Sequence, residues 1–190
     1  GDTISIGIGQ GYNLATPLQL AFATSIIANK GTAFRPHIVK RIENTKTGEI
    51  FERAPKILYR LNLNPKNLEI VRNALIGVTK TGGTAAGVGV GAGYTFAGKT
   101  GTSQVISIKQ GKKYDEDAIN ERHRDHALFI AYAPAENPSI ALSVLVENVS
   151  HGSSAAAPIA RQVMDYALLG KLPAHMEEEP LDRNGEGEHD

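Results

Sequence analysis

The sequence predicts an α+β fold in which an antiparallel sheet packs against helices. One observation is a pair of strand-like runs, residues 126–133 and 139–147, joined by the short turn Ala133-Pro134-Ala135-Glu136-Asn137-Pro138. So short a connection joins antiparallel neighbours, because a parallel pair needs a long crossover. The other observation is three stretches with helical apolar spacing, each beginning at a capping signal. The 190 residues, 41% of them hydrophobic, suffice for one domain with a core.

Each of the three helices has its own start signal. Thr16-Pro17 begins the first and Asn64-Pro65 the second, because a capping side chain followed by proline is favoured at helix starts. Ser153 or Ser154 is expected to cap the third, which covers about residues 154–169. The apolar stripes are Leu18, Phe22 and Ile26 in the first helix, Leu68, Val71, Leu75 and Val78 in the second, and Ile159, Val163 and Ala167 in the third.

Further strand-like runs lie at residues 34–44, 49–51 and 94–106, with a turn at Lys46-Thr47-Gly48 between the first two. The glycine-rich residues 82–93 end the second helix and predict a loop rather than an element. The charged residues 107–125 are too long for a hairpin turn. They are consistent with a lid or partner surface beside a site, and equally with a solvated loop.

Charge divides the chain into a body, residues 1–170, and an acidic end, residues 171–190. Residues 170–190 hold seven acids and two bases, whereas the rest holds 13 acids and 18 bases. The acidic end predicts a disordered tail. The mildly basic body is compatible with an anionic ligand or with ordinary solvated faces, and nucleic acid is not an expected partner.

Composition excludes several kinds of chemistry. The chain has no apolar run of about 18 residues, so no membrane-spanning helix is expected within it. It has no cysteine, which excludes disulfides, thiolate metal sites and a cysteine nucleophile. Its six histidines show no metal-ligand spacing, and neither a metal nor another cofactor is expected.

Two glycine motifs have the letters of nucleotide-binding signatures but not their context. Residues 93–100 match the phosphate-loop spacing, which requires a strand before the loop and a helix after it. Here a glycine-rich stretch precedes the motif and β-like residues follow. Residues 87–92 loosely fit a dinucleotide fingerprint and also lack a following helix. Nucleotide binding is therefore not expected.

The triplet Lys-Thr-Gly occurs twice, at residues 80–82 and 99–101. The first follows a helix, where a lysine complements the helix dipole. The second lies in a predicted strand, whose edge N–H groups, lysine and hydroxyls can together stabilise a developing oxyanion. Serine acyl transferases sensitive to β-lactams use such a strand. The alternative is that Lys99 is an ordinary lysine at a strand edge, without a catalytic role.

Three segments give the second triplet its context. They are Gly7-Ile8-Gly9-Gln10-Gly11-Tyr12 with Thr16-Pro17-Leu18-Gln19-Leu20, then residues 96–104, then residues 125–134. In this order they resemble the class B penicillin-binding proteins, in particular those of the cell-elongation machinery, over most of residues 1–170. The resemblance implies a β-lactamase/transpeptidase-like fold: a five-stranded antiparallel sheet with helices on both faces. This chain would be its incomplete C-terminal portion, with residues 94–106 lining the cleft.

The resemblance also implies roles for five residues. Lys99 would hold the carboxylate of the substrate or of a β-lactam, together with the hydroxyls of Thr100 and Thr102. The backbone N–H of Thr102 would be one of two oxyanion-hole donors. Gln104 would contact the substrate, and Gly101 would provide clearance.

The family's nucleophile motif, Ser-x-x-Lys, and its second motif, Ser-x-Asn, do not occur in this sequence. Both are expected upstream of residue 1, in a parent protein of which this chain is a subdomain or a cleaved half. A non-catalytic relative is the alternative. Because covalent catalysis requires the nucleophile, the chain alone is expected to form no penicilloyl adduct.

For the complete protein the resemblance implies a peptidoglycan D,D-transpeptidase at the periplasmic face of the inner membrane, anchored by a segment outside this chain. Its expected partners are stem peptides ending in D-Ala-D-Ala, β-lactams, the rest of the transpeptidase domain and proteins of the cell-elongation machinery. A serine β-lactamase, against which the segment at residues 7–20 argues, and a non-catalytic scaffold module are the alternatives. His126, at the start of a strand, could contact the site or serve only the fold.

Overall fold

The structure, a computed structural model of the chain, describes residues 2–7, 9, 13–106, 119–149 and 153–173. Most of the predicted acidic tail and most of the charged segment at residues 107–125 lie outside the described residues. The helices are α1 (Asp2–Gly7), α2 (Pro17–Ala28), α3 (Pro65–Gly77), α4 (Ala86–Gly89) and α5 (Ala156–Leu169), with a 3₁₀ turn at Glu121–His123. The strands are β1 (Thr32–Phe34), β2 (Arg41–Glu43), β3 (Ile50–Glu52), β4 (Ile57–Arg60), β5 (Ala97–Ser103), β6 (His126–Ala133) and β7 (Ile140–Val146).

Three antiparallel strands in the order β5-β6-β7 form the central sheet. The predicted antiparallel pairing of the last two strands is confirmed, and the N–H of Ser139 closes their turn on the carbonyl of Ala133 at 2.9 Å. Side chains along β6 alternate between two core clusters, as the period of two requires. Phe129 and Ala131 pack toward α5, whereas Tyr132 packs toward α2 and α3, so helices cover both faces of the sheet.

Both predicted proline-containing helix starts are confirmed. At α2 the Thr16 hydroxyl accepts from the N–H of Gln19 at 3.2 Å, and the Gln19 side chain accepts from the N–H of Thr16 at 2.8 Å. This reciprocal pair is a capping box. At α3, Oδ1 of Asn64 accepts from the N–H groups of Lys66 and Asn67. These starts depend on residues within four positions of each other, which is why the sequence reveals them.

The apolar stripe predicted for the last helix is wrong. Ile159 and Val163 are 43% and 45% exposed, while Ala160 and Met164 are completely buried. The buried stripe also includes Ala156 and Ala157; small side chains let a helix axis approach the sheet closely, and this close packing decides the orientation. The predicted cap at Ser153 or Ser154 is also wrong: the N-cap position is Ala155, and no side chain of the described residues caps it.

The predicted strand at residues 34–44 is two short strands, β1 and β2, separated by a non-strand segment that contains Pro36. Proline lacks the N–H that a strand ladder needs. The turn predicted at Lys46-Thr47-Gly48 is confirmed, with turn residues at 45–47 and Oδ1 of Asn44 accepting from the N–H groups of Lys46 and Thr47. Strand β4, which pairs with β1, was not predicted, and α4 is a short helix inside the predicted glycine-rich loop.

Candidate active site

A cavity of about 620 Å³ lies along β5, which is the last strand of the central sheet within the described residues. One wall is residues 99–106, and the sheet contributes Leu128 and Ile130. The N-terminal segment and α2 also line the cavity, through Gly9, Asn13, Leu14, Ala15 and Leu20. The fold thus places Gly9, from the first glycine-rich motif, in the cavity that the second Lys-Thr-Gly triplet also lines. Residues 8 and 10–12 of that motif lie outside the described residues.

All five residues singled out by the sequence line this cavity: Lys99, Thr100, Gly101, Thr102 and Gln104. The side chains of Lys99, Thr102 and Gln104 are exposed, while Thr100 and Gly101 are half-buried. An exposed cation and hydroxyls along a concave wall can bind an anionic group. These residues lie in and just after a strand, and the described residues after β5, up to Ile106, form no helix, which argues against the phosphate-loop interpretation.

The ammonium of Lys99 bends around the strand edge. Its Nζ donates to the carbonyl of Thr100 at 2.8 Å and lies 3.5 Å from the Thr100 hydroxyl. Neighbouring side chains of a strand leave on opposite faces, so Lys99 reaches Thr100 only by passing the edge. The other edge of β5 is occupied by β6. The cation and the Thr100 hydroxyl therefore meet at the edge of β5 that faces away from β6.

Two glycines of β5 are required by close approach. A Cβ built at Gly98 would lie 2.4 Å from Cζ of Phe129, so the backbone there rests directly on the ring. A Cβ at Gly101 would lie 3.3 Å from Cβ of Leu128, which is tighter than an ordinary contact. Since Leu128 also lines the cavity, a side chain at residue 101 would narrow it.

A charged network that the sequence analysis did not single out fixes the chain that leads into β5. Arg161 on α5 donates through Nε to both carboxylate oxygens of Asp165, at 2.8 and 2.9 Å, and Asp165 accepts from the Tyr94 hydroxyl at 2.7 Å. The Arg161 guanidinium also donates to the carbonyls of Val88, at 2.7 Å, and Gly91, at 3.1 Å. The only sequence signal was the Arg–Asp spacing of four residues on a helix.

The same network shifts the pKa values of the Asp165 carboxyl and the Tyr94 phenol. Burial opposes ionisation of Asp165, but the hydrogen bonds from Arg161 and Tyr94 outweigh it and lower the pKa of the carboxyl. Burial, and then the hydrogen bond to Asp165, raises the pKa of the Tyr94 phenol. Asp165 is thus held as a carboxylate and Tyr94 as a neutral donor, which keeps the link between α5 and the start of β5 intact at neutral pH.

Arg72 on α3 is a second residue that the sequence analysis did not single out. Its guanidinium donates to the carbonyl of Ala28, at the end of α2, and to that of Ala135, in the β6–β7 turn, both at 2.8 Å. It also lies 5.5 Å from the ring centroid of Tyr132. Burial raises the pKa of the Tyr132 phenol. Arg72 thereby ties two helices to the sheet on the face that carries the cavity.

The positions of His126 and Lys80 bear on two alternatives that the sequence left open. His126 opens β6 opposite Ser103, and its Nδ1 accepts from the N–H of Asn148 at 3.0 Å. It is not among the cavity-lining residues, and this contact within the sheet favours the structural interpretation. Lys80, of the first triplet, is exposed in the turn that follows α3 and lies apart from β5's cavity.

An antiparallel sheet between helices, with Lys-Thr-Gly on the edge strand of a cleft, is the arrangement of serine acyl transferases. The penicillin-binding protein transpeptidase domain matches residues 1–165. The peptidoglycan D,D-transpeptidase MrdA of Haemophilus influenzae is 44% identical over 177 residues, covering 91% of this chain and 27% of that protein. The crystal structure of Pseudomonas aeruginosa PBP2 in complex with WCK 5153 is similar with a TM-score of 0.70 and 42% identity, over 94% of this chain and 35% of that one. The complex between PBP2 and MreC from Helicobacter pylori matches with a TM-score of 0.65 and 30% identity, over 90% and 28%.

The chain therefore belongs to the penicillin-binding protein transpeptidase family and resembles its class B, PBP2-type members. It spans about a quarter of the length of the curated relatives it matches. Within the described residues, no helix is both long and apolar enough to cross a bilayer.

Proposed function

We propose that this chain is the C-terminal part of a peptidoglycan D,D-transpeptidase that cross-links stem peptides through a serine acyl-enzyme. The serine would be supplied by a part of the protein outside this chain. The observation that carries the proposal is the convergence of Lys99, Thr100, Gly101, Thr102 and Gln104 on one cavity at the edge of β5.

The terminal carboxylate of a D-Ala-D-Ala stem peptide is the group that this edge would bind. The Lys99 ammonium supplies the positive charge, and the hydroxyls of Thr100 and Thr102 supply donors, since charge-assisted hydrogen bonds to a carboxylate are the stronger kind. A β-lactam with its own carboxylate would bind in the same way. Gln104, further along the same wall, would contact the substrate next to that carboxylate.

The backbone at the edge would stabilise the oxyanion. The Thr100 carbonyl accepts a hydrogen bond from the exposed Lys99 ammonium at 2.8 Å. This contact supports an orientation of the Thr100 carbonyl away from β6. Backbone groups of residues i and i+2 in a strand face the same edge, so the N–H of Thr102 would face the cavity. A preorganised N–H of this kind lowers the barrier for acyl transfer by several kcal/mol, of order 3.

The proposed reaction has two acyl-transfer steps. The serine oxygen attacks the carbonyl between the two D-alanines; the C–O bond forms, the C–N bond breaks, and the leaving amine takes the serine's proton through a base outside this chain. An amine of a neighbouring strand then attacks the ester, forming the new amide and returning a proton to the serine. The residues of this chain bind, orient and stabilise charge in both steps.

The remaining expectations belong to the same proposal. The H. pylori relative was solved with MreC, which supports a cell-elongation partner for this protein. The proposed location is the periplasmic face of the inner membrane, with the anchor outside this chain. Residues 1–170 are proposed as the transpeptidase portion, and residues 171–190 remain a predicted disordered tail.

The proposal is tested by labelling with a fluorescent penicillin, followed by a denaturing gel and mass measurement. The complete protein should carry one covalent adduct, because it contains the nucleophile. The 190-residue chain alone should carry none. An unlabelled complete protein would refute transpeptidase function and favour the scaffold alternative, whereas a labelled 190-residue chain would refute the claim that the nucleophile lies elsewhere.

A further inference from the structure

The hydroxyl of Thr84 lies 3.4 Å from the hydroxyl of Thr100, although the two residues are 16 positions apart. Thr84 belongs to the glycine-rich segment between α3 and β5, outside every motif described above. We propose that Thr84 is a positioning residue that orients the Thr100 hydroxyl toward the ligand carboxylate. This inference rests on the proposed function, because it requires Thr100 to bind that carboxylate.

The backbone around Thr84 is fixed on both sides. A Cβ at Gly83 would lie 2.3 Å from the carbonyl oxygens of Gly77 and Val78, so only glycine permits this turn to fold back on the end of α3. On the other side, the buried Ala85 donates its N–H to the carbonyl of Val78 at 2.9 Å. Thr84 is therefore held between two anchored residues, while its own side chain is exposed at the strand edge.

Either hydroxyl could donate in the contact between Thr84 and Thr100, and the proposed role requires that Thr84 donates. A threonine hydroxyl has one proton to donate and two lone pairs that accept. The Thr100 oxygen faces the Lys99 ammonium at 3.5 Å, which can only donate, and the Thr84 hydroxyl at 3.4 Å. If Thr84 also donates, both lone pairs of Thr100 are occupied and its proton is left for the carboxylate.

The hydrogen bonds from Thr84 to Thr100 and from Thr100 to the carboxylate should strengthen each other when the ligand binds. Chains of hydrogen bonds that end on an anion polarise one another, and long contacts in an unliganded site commonly shorten on binding. The contribution of Thr84 should accordingly appear with ligands that carry a carboxylate and should vanish with ligands that do not. A residue that only supported the fold would affect both kinds of ligand alike.

The test compares acylation of the complete protein by a penicillin and by its methyl ester, which lacks the anionic group. Thr84→Val removes the hydroxyl and keeps the shape, while Thr84→Ser keeps the hydroxyl. We expect Thr84→Val to lower the second-order acylation rate with the penicillin by about 5- to 10-fold, the loss typical of one hydrogen bond, and the rate with the ester by less than about twofold. Thr84→Ser should restore most of the rate.

Thr81→Val is the matched control, because Thr81 is an exposed threonine in the same turn; it should leave both rates unchanged. Thermal unfolding of each variant separates loss of fold from loss of orientation. The inference is overturned if Thr84→Val equals wild type with the penicillin, if it slows penicillin and ester equally, or if Thr84→Ser behaves like Thr84→Val. If wild-type protein is not acylated at all, the proposed function fails, and this inference with it.

Discussion

The phenol of Tyr94, three residues before β5 begins, donates a 2.7 Å hydrogen bond to Oδ1 of Asp165 on α5. Arg161 binds the same carboxylate and also three carbonyls of the glycine-rich segment. Helix α5 thus binds, through Asp165 and Arg161, both the residues just before β5 and the glycine-rich segment that carries Thr84. The same hydrogen-bond network therefore stabilises the fold and positions the strand that lines the cavity.

Asp165→Asn should destabilise the complete protein by about 1–3 kcal/mol at pH 7, because it removes a charge-assisted acceptor from two donors. A carboxyl whose folded pKa is lowered adds stability that is fully present above its unfolded pKa, about 3.9, and is lost as the pH falls through the folded pKa. The gap between wild type and variant should therefore close as urea unfolding is measured from pH 7 down to pH 2. Glu69→Gln, at an exposed residue of α3, is the control, and a gap that stays constant over this range would contradict the assignment.

Gly98→Ala should destabilise the protein by about 1–3 kcal/mol, the usual cost of overpacking a core. The new methyl group would lie 2.4 Å from Cζ of Phe129, so either the ring or β5 must move. Gly87→Ala is the matched control, since a Cβ there meets nothing within 4 Å and alanine favours the short helix. Denaturant unfolding of the two variants measures the difference, and equal midpoints would show that β5 does not rest on Phe129.

Lys99→Ala should slow acylation of the complete protein by a penicillin by about 10²–10³-fold, because it removes the cation from the carboxylate site. Lys80→Ala is the matched control: Lys80 stands in the same triplet but is exposed in the turn after α3. Its rate should stay within about twofold of wild type. Time courses of fluorescent labelling give both rates, and an equal effect of the two substitutions would remove the reason for choosing β5 as the site.

Arg72→Met should destabilise the protein by about 2 kcal/mol, because two backbone carbonyls, those of Ala28 and Ala135, lose a charged donor. Methionine keeps much of the apolar stem, so the change isolates the guanidinium. Arg53→Met, at an exposed residue, controls for loss of surface charge. The unfolding midpoints of the two variants decide the matter: a similar small shift in both would mean that Arg72 does not hold α2 and α3 to the sheet.

Local signals predicted much of this fold. The caps at Thr16 and Asn64 are hydrogen bonds between residues within four positions of each other, and the β6–β7 turn is short. Each could therefore be predicted from a few consecutive residues. The exposed and buried faces of α5 could not, because Ile159 and Val163 repeat with the same helical period as Ala160 and Met164. Only the close approach of α5 to the sheet distinguishes the two stripes.

The starts of α2 and α3, the final hairpin and the strand that carries Lys99 could all be predicted from the amino-acid sequence. Each depends on backbone preferences or on motif letters that neighbouring residues specify. Three contacts become visible only in the folded chain: Gly9 and residues 13–15 line the same cavity as Lys99, Arg161 binds the glycine-rich segment, and the Thr84 hydroxyl lies beside that of Thr100. These contacts join residues far apart in the chain, and they form only where the elements that carry them pack against one another.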